Sequence, residues 1–457
     1  MQGFEIAGKW CLPGADDNSQ KVYGNLTFSP NEEAKLTLLG ELSPDYDYYQ
    51  TILGFSQKGK NITLLGCQLV FREKSYPGIP SVTYHVQEIF QGQHFLNEDY
   101  VKFFNISISI SYPNLDEWLG LPVADIKEYS SDTEVGWNIK FPWPLPKEIY
   151  DSDVFSLKYF CSVTISRAIL KEPKISSKTY FSITNKSAEQ EKSFHQFFRP
   201  LISSLADLLT LALYAPVVID QLNGKVLGSG PHELVEVFFK QLGQSEPVRP
   251  DSMLFTFSDI KDNSQEFFQK WFDIRDKAKH ALDLYFSLFK EERYLENFFL
   301  TSIRALEVYH RLVIEGKQWP TDEHEGLKPR VLKAAGEKYK KWVQDRIQWN
   351  EPSLKTRLKD LLERAKLNKM GHEEKKLDEA LNLAVITRNY LTHYSAELRD
   401  RSARGEQLLH LSLWLRGFFT VILLRELGFD SEKIRVILGK SGQFQSDLKK
   451  SLEVALG

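Results

Sequence analysis

In the stretch ITRNYLTHYSAEL (residues 386–398), Arg388 is followed at once by Asn389 and, after three more residues, by His393. These three side-chain types can cleave RNA without a metal. The ribose 2′-hydroxyl is the nucleophile, so the protein has three tasks. An imidazole takes or gives a proton near neutral pH. A guanidinium stabilises charge building on the phosphate with a planar fork of donors. An amide holds the phosphate or orients the imidazole. The expected products are a 2′,3′-cyclic phosphate and a 5′-hydroxyl, and DNA, lacking the 2′-hydroxyl, is not cut by this route.

Spacing constrains how the three can meet. Asn389 and His393 are four apart, about 40° on a helix, and share a face. Arg388 and His393 are five apart, about 140°. They serve one site if the helix ends near Thr392 or if the long arginine wraps round. A helix end there would also favour a protonated His393 through the negative C-terminal dipole. Arginine followed by histidine at such spacing also occurs at Arg275–His280, Arg304–His310 and Arg404–His410. Arg388–His393 is singled out because it closes a long amphipathic segment and precedes a loop, whereas the others lie inside or at the start of helices. His310 and His410, spaced for helix faces, read as satisfied structural histidines.

The elements that must carry this motif follow from periodicity. Residues 1–185 contain short β-branched and aromatic runs such as VYGNLTFS, AKLTLLGEL, NITLLGCQLVF and FSLKYFCSVTIS, bounded by Gly, Pro, Asn and Asp. They predict antiparallel sheets in a sandwich or barrel-like domain. Near Asn185 the period changes to three and four, predicting a helix up to about residue 215. PHELVEVFFKQL reads as strand or helix, within a helical connecting module at 186–262. From 263 onward the chain predicts long helices at about 264–290, 293–315, 373–392 and 404–427, with a short tail helix. GKQWPTDEHEGLKP reads as a loop, and a segment of helical propensity broken by Pro352 follows it. The fold class is therefore α+β: an antiparallel β-rich N-terminal domain, then an α-helical bundle at 263–457 carrying an insertion at about 316–370.

Composition narrows the function classes. The chain has 457 residues, 42% hydrophobic and 26% charged, which excludes a largely disordered protein. With 58 basic against 61 acidic side chains, it is not a uniformly basic nucleic-acid coat. Charge is nonetheless uneven: residues 326–370 hold 13 basic and 5 acidic side chains, net +8. Lys338, Lys340, Lys341 and Arg346 in that basic segment are weak candidate RNA contacts, and Trp342 and Trp349 there could stack on bases. Three scattered cysteines, with no CxxC pair, fit a reducing cytosol and give no metal site. The N-terminus carries no secretory signal pattern, and the longest apolar runs fall short of a membrane span. Four N-x-S/T triplets, at Asn25, Asn61, Asn105 and Asn185, read as chance occurrences. Leu438-Gly439-Lys440-Ser441 lacks the first glycine and the preceding strand of a phosphate-binding loop.

The combination resembles the HEPN superfamily, specifically its ApeA-like branch of phage-defence proteins. HEPN domains are helical bundles with an R-x(4–6)-H motif, often with Asn after the Arg, at the end of the penultimate main helix. Here that motif maps onto Arg388, Asn389 and His393. ENFFLTSIRALEVYHR resembles an earlier bundle helix of the family, and GNLTFSPNEEAKLTLLGEL, TILGFSQKGKNITLLGCQLVF and LDEWLG resemble the β-rich domain that precedes HEPN. The resemblance implies a supporting role for Glu307, and for Tyr394 beside His393. It also implies a homodimer or higher homo-oligomer with two motifs facing across a two-fold axis, no cofactor, and a cytoplasmic abortive-infection toxin. Such a toxin would cut host RNA, with tRNA as the expected substrate, when the β domain senses a phage protein. The competing reading is a non-catalytic RNA- or protein-binding HEPN module acting as a regulated assembly protein.

Overall fold

The computed structural model describes residues 1–15, 21–43, 46–73, 77–95, 107–121, 125–131, 133, 135–140, 146–166, 174–186, 194–225, 234–290, 294–314 and 316–457. The chain divides into two compact units, Met1–Pro250 with Phe255–Phe268, and Asp251–Leu254 with Gln269–Gly457. The first two residues of the Asn105 triplet and the first three of PHELVEVFFKQL fall outside the described residues.

The first unit is an antiparallel β structure. Its strands are β1 (Phe4–Cys11), β2 (Val22–Phe28), β3 (Ala34–Leu39), β4 (Tyr48–Ser56), β5 (Asn61–Glu73), β6 (Ser81–Gln91) and β7 (Ser107–Ser111). They continue as β8 (Asp125–Ser130), β9 (Val135–Lys140), β10 (Lys147–Asp151), β11 (Phe155–Ser166), β12 (Lys174–Asn185), β13 (Gln221–Lys225) and β14 (Leu234–Phe239). Strands β6-β3-β2-β1-β4-β5 close on themselves through β5–β6 pairing, forming a six-stranded barrel. Strict alternation decides which side faces in: along β3, Ala34, Leu36 and Leu38 are buried while Lys35, Thr37 and Leu39 point out. Trp10 fills the barrel and donates Nε1–H to the Gly24 carbonyl at 3.1 Å. Position 54 must be glycine, because a Cβ there would lie 2.2 Å from a carbon of the Trp10 ring.

Strand β6 joins the barrel to a second sheet. Its Ser81–Val86 half pairs with β3, while Glu88 to Gln91 pair along the same edge with β14. The sheet continues β14-β13-β7-β12-β11-β10, with β8–β9 as a separate ribbon. The segment expected to be a helical connecting module, 186–262, thus holds α2 (Phe194–Leu213) but also β13 and β14, both hydrogen-bonded into this sheet. Alternation of Val235, Val237 and Phe239 as buried residues resolves the Leu234–Phe239 part of PHELVEVFFKQL as strand. The LDEWLG segment is a short helix, α1 (Leu115–Leu119), whose Trp118 ring packs between Phe181 and Phe257. Tyr112 ties α2 down by donating its hydroxyl to the Ile202 carbonyl at 2.8 Å.

The second unit is helical. The segment read as one helix at 264–290 is two, α3 (Ser264–Lys277), which enters this unit at Gln269, and α4 (Lys279–Ser287), because Ala278 leaves helical geometry between them. Then come α5 (Leu295–Val313), α6 (Thr321–Ile347), α7 (Leu354–Ala365), α8 (Glu374–His393), α9 (Gly405–Glu426), α10 (Ser431–Lys440) and short C-terminal turns ending in Ser451–Leu456. The loop expected over GKQWPTDEHEGLKP is helical from Thr321 on, where a first turn carrying Asp322 and Glu323 follows Pro320. Helix α9 is long and apolar enough to cross a membrane, but 72% of its apolar window is buried in the bundle, as befits a core helix. It packs against α5, α7 and the C-terminal helix. Tyr285 and Tyr309 meet Phe419 edge-on at 4.9 and 5.1 Å, and the Tyr285 hydroxyl lies 2.7 Å from Thr420 Oγ1.

Candidate active site

Helix α8 positions the motif. Leu377, Ala380, Leu381, Ala384 and Thr387 bury one face of it, so Arg388 begins the turn that emerges from the core. The helix runs through His393 and stops at Tyr394, which takes the left-handed conformation (φ 51°, ψ 34°) and donates its backbone N–H to the Tyr390 carbonyl at 2.6 Å. A tyrosine in that conformation is uncommon. The buried Thr387 hydroxyl receives the Ala403 N–H at 2.9 Å, which pins the returning loop against the helix end.

Arg388 is half-buried and held from two sides. Its Nη1 donates to Asn389 Oδ1 at 3.1 Å, and its Nη2 lies 3.8 Å from Glu307 on α5. Asn389 thus touches the arginine directly. His393, the last helical residue, is exposed, and its imidazole makes no hydrogen bond or ion pair among the described residues. Tyr394 is 71% exposed, its ring edge-on to Tyr390 at 5.7 Å, and the Arg404 guanidinium lies 5.5 Å from the Tyr390 ring. Arg388, Asn389 and Glu307 therefore form one bonded cluster, and His393 and Tyr394 stand beyond it at the helix end. Lys338, Lys340, Lys341 and Arg346 all lie exposed on the far part of α6.

In each of the other Arg–His pairs one member is engaged by another residue. Arg275 pairs with Asp283 at 2.6 Å. His310 is fully buried between Arg357 Nη1 at its Nδ1 (3.1 Å) and Asp360 Oδ2 at its Nε2 (2.8 Å). With Arg357 donating, Nδ1 accepts and Nε2 carries the proton toward Asp360. His410 Nδ1 lies 3.1 Å from Ser451 Oγ.

Sequence reasoning missed the ionic chain behind Arg388. The second Glu307 oxygen binds Arg311 at 3.2 Å, Arg311 reaches Glu351 at 2.7 Å, and Glu351 holds the buried Arg357 at 2.9 Å. Burial, then the neighbouring Arg311, lowers the Arg357 pKa below its ordinary value. The signal for the local part was present, since Glu307 and Arg311 are four apart on one helix. Glu351 comes from a distant turn and gave no such signal.

A helical bundle with Arg388, Asn389 and His393 at the exposed end of one helix, in a chain that also carries a β barrel, has the organisation expected of a HEPN protein. The comparisons with known families agree: residues 5–271 match the family described as ApeA N-terminal domain 1, and residues 300–433 match Apea-like HEPN. The chain belongs to the ApeA-like family of anti-phage HEPN proteins, whose HEPN domains are generally nucleases that act on RNA and commonly form dimers. No curated protein and no solved structure matches it.

Proposed function

We propose that this protein is a metal-independent endoribonuclease of an abortive-infection system, with Arg388, Asn389 and His393 as its catalytic residues. The observation that carries the reading is the helix end of α8, where Arg388, fixed by Asn389 and Glu307, sits within two turns of an exposed, uncommitted His393. In this scheme an imidazole takes the proton of the ribose 2′-hydroxyl, the 2′-oxygen bonds to phosphorus, and the P–O5′ bond breaks. The leaving 5′-oxygen receives a proton from an imidazole, giving a 5′-hydroxyl and a 2′,3′-cyclic phosphate. The Arg388 fork faces the charge that builds on the non-bridging oxygens. Two proton transfers at opposite ends of one phosphate suit two copies of the motif, which favours a homodimer with a shared cleft.

The N-terminal β domain acts in this reading as the sensor of a phage protein, and the target is host tRNA in the cytoplasm. An open groove on the barrel wall supports a binding role: Gly8 and Gly24 pair there across β1 and β2, and Lys9 lies 5.1 Å over the ring of the exposed Tyr23. In the helical domain, Lys338, Lys340, Lys341 and Arg346 supply phosphate contacts.

The test is cleavage of purified tRNA in EDTA by the wild type and by His393→Ala, with analysis of the new ends. The expected result is cyclic-phosphate ends from the wild type and a rate roughly 10²–10⁴-fold lower in the variant. Undiminished cleavage by His393→Ala overturns the assignment.

A further inference from the structure

Helix α6 spends 27 residues and buries only one of them, His324. Core-facing helices normally hide a continuous apolar stripe, so a helix this exposed is held by local pairs or serves a partner. Its base is firmly tied. Asn350 accepts the Trp319 N–H at 3.0 Å and donates to the Trp319 carbonyl at 2.8 Å, clamping together the two ends of the excursion. Beyond this clamp, Gly336 (φ 66°, ψ 166°) breaks the helix in two.

The far part carries an unusual face. Tyr339, Trp342 and Arg346 follow at spacings of three and four, within about 60° of arc. Tyr339 is 52% exposed and Trp342 58%, and Trp349, just past the helix end, is 68% exposed. Each of the two helical rings already has a cation beside it: the Arg346 guanidinium lies 4.2 Å from the Trp342 ring centre, and the Lys338 ammonium 5.2 Å from that of Tyr339. Residues 326–347 hold seven basic side chains against two acidic ones, Glu337 and Asp345.

Exposed rings interleaved with cations match unpaired RNA better than another protein. Protein interface cores are depleted in lysine. Single-stranded nucleic acid offers π-faces for the rings and phosphates for the cations, whereas a duplex hides its base faces. We propose that the face of α6 beyond Gly336 is a stacking platform for unpaired bases of RNA. Tyr339 and Trp342 take the bases, and Lys338, Lys341 and Arg346 take the flanking phosphates. The proposal rests on the ribonuclease reading and deepens it, because it directs the enzyme to loops and single strands rather than helices.

The experiment uses the full chain carrying His393→Ala, so that binding is read without cleavage. Fluorescence anisotropy measures Kd for a short single-stranded RNA of mixed sequence and for the same sequence as a duplex. Tyr339→Ala with Trp342→Ala should weaken single-strand binding about ten-fold or more and leave duplex binding unchanged. Tyr339→Phe with Trp342→Phe, which keeps both π-faces, should restore single-strand binding. The platform is overturned by an unchanged single-strand Kd in the alanine pair, by equal weakening for both RNAs, or by a parent that binds neither. It is equally overturned if the alanine pair changes only the oligomeric state in sedimentation, which would mark a contact between copies. The two readings fail separately: cleavage by His393→Ala as fast as wild type sinks the nuclease assignment, and Kd is then read on the same RNAs carrying 2′-O-methyl riboses, which 2′-hydroxyl attack cannot cut, so the platform is still tested.

Discussion

Glu307 on α5 places a carboxylate oxygen 3.8 Å from the Arg388 guanidinium on α8, while its other oxygen holds Arg311 at 3.2 Å. Eighty-one positions separate Glu307 from Arg388 in the chain, yet the bundle makes the acid a neighbour of the proposed catalytic arginine. An arginine side chain has several rotatable bonds, so an anchor on its fork reduces the orientations it samples before a phosphate arrives. The same anchor competes with the phosphate for charge.

These two effects predict opposite changes in two constants. Glu307→Gln keeps the length and loses the charge, so RNA binding should hold or tighten. Turnover should fall about 5- to 10-fold, equivalent to roughly 1–1.4 kcal/mol in the barrier. Single-turnover cleavage over a range of enzyme concentrations separates the two constants. A loss of affinity with full turnover would show that Glu307 does not orient Arg388.

Arg388→Lys tests the fork itself. Lysine keeps the positive charge but offers a point ammonium in place of two parallel donors. Removing one preorganised donor from a developing oxyanion typically costs about 10²–10³ in rate. The expected outcome is a drop of that size in cleavage with RNA affinity within a few-fold of wild type. A lysine variant of near-normal rate would mean that charge alone, and not geometry, is what position 388 supplies.

Much of this arrangement was legible in the sequence because it is local. The alternation in AKLTLLGEL and the three-and-four spacing in ENFFLTSIRALEVYHR depend on near neighbours, and both elements formed as expected. The stop of α8 at His393 was foreseen one residue early, at Thr392. Barrel closure was not legible, because β5–β6 pairing and the switch of β6 from β3 to β14 are questions of long-range register. The break at Ala278 was hidden because alanine is the best helix former, and tertiary geometry overrode its propensity. At the site, the motif could be read, and the family resemblance pointed to Glu307, but the ionic chain behind Glu307 could not be read. Nothing in the spacing of Glu351 or Arg357 announces that both lead back to Arg311 and Glu307.

The buried end of that ionic chain predicts a stability effect. His310 is fully buried and bridges Arg357 and Asp360, at 3.1 and 2.8 Å. His310→Ala would leave the buried guanidinium of Arg357 short of one acceptor and open a cavity beside it. Unsatisfied buried polar groups cost about 1–3 kcal/mol, and more when charged. The helical unit should therefore lose about 2–4 kcal/mol, read as a lower midpoint in urea unfolding followed by tryptophan fluorescence. An unchanged midpoint would show that the network adds no net stability.

His372, just before α8, predicts an acid-side weakness. Burial, then the nearby Lys449, lowers its pKa from 6.5 to about 4, and its Nε2 has no hydrogen-bond partner among the described residues. The folded state therefore keeps this imidazole neutral where the unfolded chain protonates it. Between pH 6.5 and 4 the unfolded state binds the extra proton, so stability is full above pH 6.5 and declines as pH falls through that window. The slope is at most about 1.4 kcal/mol per pH unit from this one group. His372→Gln should flatten the pH dependence of the urea midpoint between pH 4 and 6.5, with little effect at pH 7.5 on the flat part of the curve. If the variant follows the wild-type slope across the whole window, another group carries the acid sensitivity of the bundle.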